Sequence, residues 1–530
     1  MCAAVGATYV GGVRAGLDSA APERHRLYGI PVALSYDRYG LRGYVAYAAI
    51  ARRFINDKPI DVIVGNDLPA TTNTLEVSEG LFFVPADDKG DVTFSRLAFA
   101  LFGYHLSALY RLYFVILLGS IAAYLLAFFK EHEKLLVGVA VSVSLLSLLS
   151  AFQNGLLMPA VVTFYDVRIF SVIAALALVH LGWLCLDRRK LSVLQGCCAL
   201  YQVLVIVLTV HVRSSNMVVV VALFVWIAGV AIARAVARAP TLTIRGVALS
   251  MSGAVRVWPL VLIVVAFAGA RAWERRTYHP QYFASHMAHH LVWHNVGLGF
   301  ALHPELGKAL DYVLSDESMM NLVARRLIEQ GDHDRVRRIF GDAYTSVNDS
   351  SGRGKVAVGP FLHSSTSDLA LYDEAARHVV LETARAHPWE TAALFLYYKP
   401  RSVLAHMLWF TAVGTKDQPS VLPDGHQSPV YGAHVHTQSR AIYYSPFTGP
   451  AVAMFLVALL TRVAPRRSVL VTALAGTLLM LVASMLTLVA VYPAPPFMGD
   501  VMFWTAVALY LTIAVAWSSV PWSAIKDKVI

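Results

Sequence analysis

Apolar runs of nearly 20 residues recur from Arg111 to the C-terminus, and this repetition restricts the fold more than any other feature of the chain. A helix of about 20 apolar residues crosses the roughly 30 Å of a bilayer's hydrocarbon core. Hydrophobic residues make up 57% of the 530 and charged residues 15%. Soluble domains carry roughly 25% charged residues. The sequence therefore predicts an all-α polytopic membrane protein.

Nine segments of the chain are candidate membrane spans. They cover residues 111–129, 135–152, 167–186, 191–211, 216–234, 254–272, 448–463, 468–490 and 501–519. The sixth is the least apolar, because it contains Arg256 and Pro259. The spans divide the chain into an N-terminal polar region (1–110), a first helix group (111–272), a second polar domain (273–447) and a last helix group (448–530).

Lysine and arginine divide the loops between these spans into two sets. One set of alternate loops and the C-terminus hold fourteen of them, whereas the short loops of the other set hold only Arg168 and Arg213. Cations in short loops stay on the cytoplasmic side during insertion. We therefore expect a multi-pass protein of the plasma membrane, here the bacterial inner membrane, with a cytoplasmic C-terminus and both polar regions extracytoplasmic. Nucleic-acid binding is excluded, since it needs cations clustered on a water-exposed face.

The N-terminal polar region lacks an ordinary export signal. Met1 to Gly16 has no charged start and only an apolar stretch interrupted by glycines. Either an upstream transmembrane helix is missing, or the start is wrongly assigned or the N-terminus inserts in an unusual way. Within the region, Leu41 to Ile55 and Val92 to Phe102 predict short amphipathic helices that lie in the membrane interface.

An acidic motif precedes the second of these helices. Asp87 and Asp88 stand in the sequence Pro85-Ala86-Asp87-Asp88-Lys89-Gly90. A carboxylate at the membrane boundary can take a proton from an acceptor hydroxyl, or bind a divalent metal together with a second oxygen ligand. The alternative is a solvated turn in which Lys89 neutralises one charge.

The order of these features resembles the N-terminal module of GT-C-type glycosyltransferases. The similarity lies in an acidic outer loop with two interfacial helices, then Leu101-Phe102-Gly103 and a closely spaced helix pair, and it covers roughly residues 30–240. The resemblance implies transfer of a sugar from a polyprenyl-phosphate carrier at the outer membrane face. It also implies that Asp88, Asp87 or Asp37 is the catalytic base and that Asp166, in the next outer loop, supports it or a divalent metal.

Arginines at the same predicted boundary are candidates for binding the phosphate of such a lipid. Guanidinium groups bind phosphate with paired hydrogen bonds, and boundary arginines also anchor helices in any membrane protein. The five candidates are Arg96, Arg111, Arg168, Arg213 and Arg271.

Histidines are concentrated in the second polar domain, which holds 14 of the 19. His286, His289, His290 and His294 have spacings that align three imidazoles along one helical face. The stretch has neither cysteine nor an HExxH signature, so hydrogen-bonded histidines are favoured over a metal site. The domain is also predicted to contain helices at Ser315–Gln330 and Asp368–Ala386, with a loop at Asn348–Gly359 between them.

A last segment of this domain, from His387, reads as a surface helix on the bilayer, because Lys399 and Arg401 interrupt its apolar run. Two further functions stay open beside sugar transfer. A transporter or flippase of lipid-linked envelope material would need ionisable residues buried within spans, and few are present. A non-catalytic envelope assembly protein would use the second polar domain to bind a partner.

Overall fold

The structure is a computed structural model, and it describes part of the chain. The described residues are 2–14, 16, 30, 33–34, 45–47, 81–83, 90–153, 170–187, 190–213, 216–238, 256–277, 289–310, 316–340, 344–347, 355–358, 368–403, 467–491 and 498–518.

Long apolar helices form the larger of two hydrophobic cores. They are α1 (Cys2–Arg14), α2 (Gly90–Phe102), α3 (Leu106–Phe128), α4 (His132–Gln153), α5 (Ala175–Leu186, preceded by a 3-10 turn at Phe170–Ala174), α6 (Val193–Val212), α7 (Met217–Arg238), α8 (Trp258–Thr277), α15 (Arg467–Ala490) and α16 (Met498–Ser518). One continuous cluster of buried side chains joins these helices. We call them the bundle.

Helices occupy eight of the nine predicted spans, and the range 448–463 lies outside the described residues. Within the described part of the chain, four helices are long and apolar enough to cross a membrane: Leu106–Phe128, Val193–Val212, Met217–Ala237 and Ser468–Ala490. Two shorter apolar helices, Val172–Leu186 and Phe503–Ala516, accompany them. This composition fits a mainly helical multi-pass membrane protein, while nine crossings remain a prediction.

Small residues allow the bundle helices to approach closely, as expected where lipid removes the hydrophobic drive between helices. Trp226 of α7 fills the space between Gly182 of α5 and Gly476 of α15, and a side chain at either glycine would collide with its ring. The indole N–H of Trp226 also donates to the carbonyl of Thr472 (3.1 Å). These contacts join the last helix group to the first.

The N-terminal polar region differs from its prediction in one segment. Val45–Tyr47 forms a strand (β1) that pairs antiparallel with Leu81–Phe83 (β2), so the helix predicted over 41–55 is wrong at these residues. Valine and tyrosine favour the extended backbone, and the partner strand supplies its hydrogen bonds. The helix predicted at 92–102 is confirmed as α2, which ends at Gly103 with a positive φ of 85°.

A second hydrophobic core belongs to the residues between 291 and 398. It is built from α9 (Val292–Leu298, with a 3-10 turn at Gly299–Leu302), α10 (Pro304–Ala309), α11 (Asp316–Glu329), α12 (His333–Phe340) and α13 (Leu369–Ala386). α11 and α13 confirm the two predicted helices. Strands β3 (Tyr344–Val347) and β4 (Lys355–Val358) pair antiparallel, so Lys355–Val358 is not the loop that its glycine-rich surroundings predicted.

The segment after His387 is helical, as predicted. α14 (Pro388–Ala393) continues through a π-helical turn at Leu394–Tyr398 and stays helical to Val403. Trp389 and Leu396 are more than 80% exposed, which is unusual for such large apolar side chains and suits contact with lipid. Val403 packs with Leu488 and Val501 of the bundle, where α15 ends and α16 begins.

Residues next to the two predicted sets of loops form separate contacts within the bundle. The carbonyls of Cys185 and Leu186, at the end of α5, accept from the backbone N–H of Arg256 (2.8 Å) and the guanidinium of Arg234 (2.7 Å). Arg234 and Arg256 belong to the cation-rich set, and Cys185 and Leu186 end the span that leads into another loop of that set. At the other ends of α6 and α8, His211 contacts Glu274. Residues beside the cation-rich loops and residues beside the cation-poor loops thus form two distinct groups of contacts.

Candidate functional site

A polar cluster forms where α2 begins and where α6 and α8 end. We call it the His211 cluster, and its members are Asp91, Thr93, His211, Arg213, Arg271 and Glu274. Each is placed by a different local feature of the chain.

The first residues of α2 lie directly against the end of α6. Gly90 has no room for a side chain, because a Cβ there would overlap the backbone of His211 and Val212. Asp91 follows in the first helical turn, where a carboxylate suits the helix dipole, and only 3% of it is exposed. The chain is thus fixed tightly to α6 immediately after its acidic motif.

His211 is held between two oxygen-bearing side chains. Its Nδ1 lies 2.6 Å from Oε1 of Glu274, and its Nε2 lies 3.3 Å from the hydroxyl oxygen of Thr93. The side chains of His211 and Glu274 are 8% and 3% exposed, so both groups are largely removed from water. A carboxylate on one ring nitrogen fixes the orientation of the imidazole and leaves the other nitrogen for proton transfer.

Two of the predicted arginines belong to this cluster. Nη1 of Arg271 lies 3.5 Å from Oε2 of Glu274, one turn earlier on α8, and the arginine side chain remains 45% exposed. Arg213 directly follows the end of α6 and is 7% exposed, and its backbone N–H donates to the carbonyl of Thr209. The cluster therefore contains an imidazole oriented as a general base would be, together with arginines that can bind an anion.

Of the other predicted site residues, two lie within the described part of the chain and five lie outside it. Arg96 is partly buried one helical turn after Thr93 on α2, and Arg111 is exposed on α3. The acids Asp37, Asp87, Asp88 and Asp166 and the cation Arg168 lie outside the described residues. Their predicted roles stay predictions.

Sequence reasoning did not select His211, Glu274, Thr93 or Asp91 as site residues. A local signal existed for Glu274, which stands three residues after Arg271 at the end of an apolar helix, a spacing that places both on one face. Asp91 directly continues the acidic motif. Thr93 carries no distinguishing sequence signal, since its role depends on a residue 118 positions away.

The histidines of the second core have structural partners. Asp373 of α13 accepts from the backbone N–H of Trp293 (2.9 Å) and of His294 (3.2 Å), and lies 3.4 Å from Nε2 of His289. Nδ1 of His294 lies 2.6 Å from the Tyr372 hydroxyl. His286 lies outside the described residues. Among the residues that the structure describes, no group of three or more metal-ligating side chains forms, in this core or in the His211 cluster.

Comparison of the chain with protein-family models, with characterised proteins and with solved structures finds no match. The function is therefore argued from the His211 cluster and from the sequence.

Proposed function

We propose that this protein is an integral membrane glycosyltransferase that takes a sugar from a polyprenyl-phosphate carrier and transfers it to an envelope acceptor at the outer face. The observation that carries the proposal is the His211 cluster, in which an imidazole–carboxylate pair meets Arg271 at one end of the bundle, with Arg213 directly after the end of α6. Sugar transfer from a lipid phosphate requires a base for the acceptor hydroxyl and cations for the leaving phosphate.

The acidic motif at Asp87 and Asp88 precedes, by a few residues, the part of α2 that contacts His211. Asp88 precedes Gly90 by two residues, and two residues of chain span at most about 7 Å. Gly90 packs on the backbone of His211. We therefore propose Asp88 and Asp87 as the acids that act with the cluster, and Asp37 and Asp166 are the further candidates that the family resemblance implies.

In the proposed reaction, a carboxylate of the motif or the His211 imidazole accepts the proton of the acceptor hydroxyl as the hydroxyl oxygen attacks the anomeric carbon. The bond from that carbon to the phosphate oxygen breaks, and the polyprenyl phosphate leaves with both bonding electrons. Arg213 and Arg271 stabilise its charge. No step is assigned to a metal, because the described residues of the cluster do not supply a ligand set for one.

The test uses the full chain in lipid nanodiscs, with a panel of radiolabelled polyprenyl-phosphate pentoses and hexoses and a cell-envelope extract as acceptor source. The readout is release of polyprenyl phosphate with transfer of label. We expect Asp88→Asn and Glu274→Gln each to lower the rate by about 100-fold or more, the usual contribution of a general base. Asp334→Asn, which removes an exposed acid of α12, is the matched control.

The phosphate-binding role has its own comparison. Arg213→Gln and Arg271→Gln should raise the KM for the lipid donor, whereas Arg276→Gln, an exposed arginine of the same helix α8, should leave it unchanged. Movement of the labelled donor across the bilayer without chemical change would contradict the proposal and favour a flippase. Absence of transfer across the whole panel would contradict it as well.

A further inference from the structure

A cavity of about 290 Å³ lies between the end of α3 and the start of α6, among the cation-rich loops. We call it the Lys130 cavity. The residues that matter for its chemistry are Leu126, Lys130, Glu131, Asp187, Lys190 and Leu194.

The charges around this cavity are not balanced. Nζ of Lys134, a buried lysine beneath it, lies 2.8 Å from carboxylate oxygens of both Glu131 and Asp187. Lys134 thus forms ion pairs with both acidic residues of the lining. Lys130 and Lys190 are exposed, and within the described residues neither forms an ion pair. Glu131, Asp187 and Lys134 together carry a net charge of −1, and Lys130 with Lys190 carries +2, so these groups leave a net charge of +1 at the cavity.

Apart from the charged groups and the polar Ser192 and Gln195, the lining is apolar, and part of it faces outward. Leu126 and Leu194 are each 50% exposed, and Phe129 between the two loops is 59% exposed. In a membrane protein, large apolar side chains exposed at helix ends contact lipid chains rather than water. A soluble phosphate would need the two lysines, but it would gain nothing from these walls.

Two cations beside an apolar, lipid-facing wall match an anionic phospholipid, which has a phosphate group at the membrane surface and acyl chains below it. Basic sites between helices on the cytoplasmic side bind such headgroups. The loops that line the cavity belong to the set predicted to be cytoplasmic, where anionic lipids add a negative surface potential.

We propose that the Lys130 cavity binds the phosphate of an anionic phospholipid between Lys130 and Lys190, with an acyl chain along Leu126 and Leu194. The site is separate from the His211 cluster and independent of the proposed sugar transfer. It anchors the turns after α3 and α5 at the membrane surface, so that a bound lipid stabilises this end of the bundle.

The test measures lipid binding to the full chain by native mass spectrometry, with phosphatidylglycerol, cardiolipin and phosphatidylcholine supplied at equal concentration. We expect the two anionic lipids to bind more tightly than phosphatidylcholine. The double substitution Lys130→Gln and Lys190→Gln should weaken anionic binding by roughly 25-fold, from about fivefold per lysine. The matched control is Lys526→Gln with Lys528→Gln, which removes the same charge elsewhere on the predicted cytoplasmic side.

Two arms separate the lipid from other sources of phosphate. Inorganic phosphate at millimolar concentration should not displace the lipid, and Leu194→Gln should weaken lipid binding while leaving the charges intact. Equal binding of phosphatidylcholine, equal weakening by the control pair, or displacement by inorganic phosphate would each overturn the proposal. Lys130, Lys190 and Leu194 are exposed, so their variants are expected to keep the fold, which size-exclusion chromatography and thermal unfolding verify for all variants.

Discussion

Lys399 offers the sharpest test of the packing in the second polar domain. The lysine follows the π-helical turn, is 1% exposed, and its Nζ lies 4.4 Å above the ring of Phe395. Its side chain occupies the space over Gly299, where a Cβ would collide with it. Among the described residues Nζ has no hydrogen-bond partner. The preceding residue, Tyr398, packs edge-to-face against His303, with the ring centroids 4.6 Å apart.

Burial without a counter-charge lowers the pKa of Lys399 from 10.5 to about 7. The charged form in the folded protein is thus penalised by about 5 kcal/mol. Below pH 7 the amine is protonated in both the folded and the unfolded states, so the full penalty acts on stability. Between pH 7 and 10.5 only the unfolded state keeps the proton, and stability rises by about 1.4 kcal/mol per pH unit.

The substitution Lys399→Met keeps the side-chain length and removes the charge. We expect it to stabilise the segment 388–403 most at pH 7 and progressively less at higher pH, so that the advantage over wild type shrinks by about 3 kcal/mol between pH 7 and 9. The measurement is hydrogen–deuterium exchange of peptides from 388–403 in the full chain. Variants are compared at the same pH, so that intrinsic exchange rates cancel.

Lys308→Met, at an exposed lysine of α10, is the matched control and should show no such pH-dependent difference. The reasoning is refuted if the difference between Lys399→Met and wild type is constant from pH 7 to 9. Such a result would mean that the Lys399 amine keeps its ordinary pKa and has a partner or solvent access.

Two further predictions concern packing. Gly182→Ala places a Cβ against the ring of Trp226 and should destabilise the bundle by about 1–3 kcal/mol, measured by unfolding in detergent micelles. The control Gly229→Ala meets open space and should be neutral or slightly stabilising. Equal effects of the two substitutions would contradict this packing. Asp373→Ala removes the acceptor of two backbone N–H groups at the start of α9 and should cost about 1–3 kcal/mol, measured as faster exchange in 289–298. Glu374→Ala, a 57% exposed neighbour, should change little, and similar losses in both variants would show that the hydrogen bonds to Asp373 contribute nothing.

Elements with a local cause were predictable from the chain. Helices α11 and α13 follow from their amphipathic patterns and end signals, and α13 is capped by Asp368, which accepts from the backbone N–H of Leu371 (3.0 Å). The strand at Val45–Tyr47 was not predictable in this way, because its partner Leu81–Phe83 is distant in the chain. Lys355–Val358 was missed for a different reason: its local composition indicates a loop, whereas pairing with the nearby Tyr344–Val347 makes it a strand.

The sequence by itself determined that the chain is built for a membrane and where its helices run, since apolar length and the position of cations are properties of consecutive residues. It also singled out Arg213 and Arg271 as boundary cations. Only the tertiary structure decided that His211 lies between Thr93 and Glu274, and that Lys134 contacts Asp187. The physical reason is that these contacts join helix ends far apart in the chain, whose meeting depends on how the helices pack.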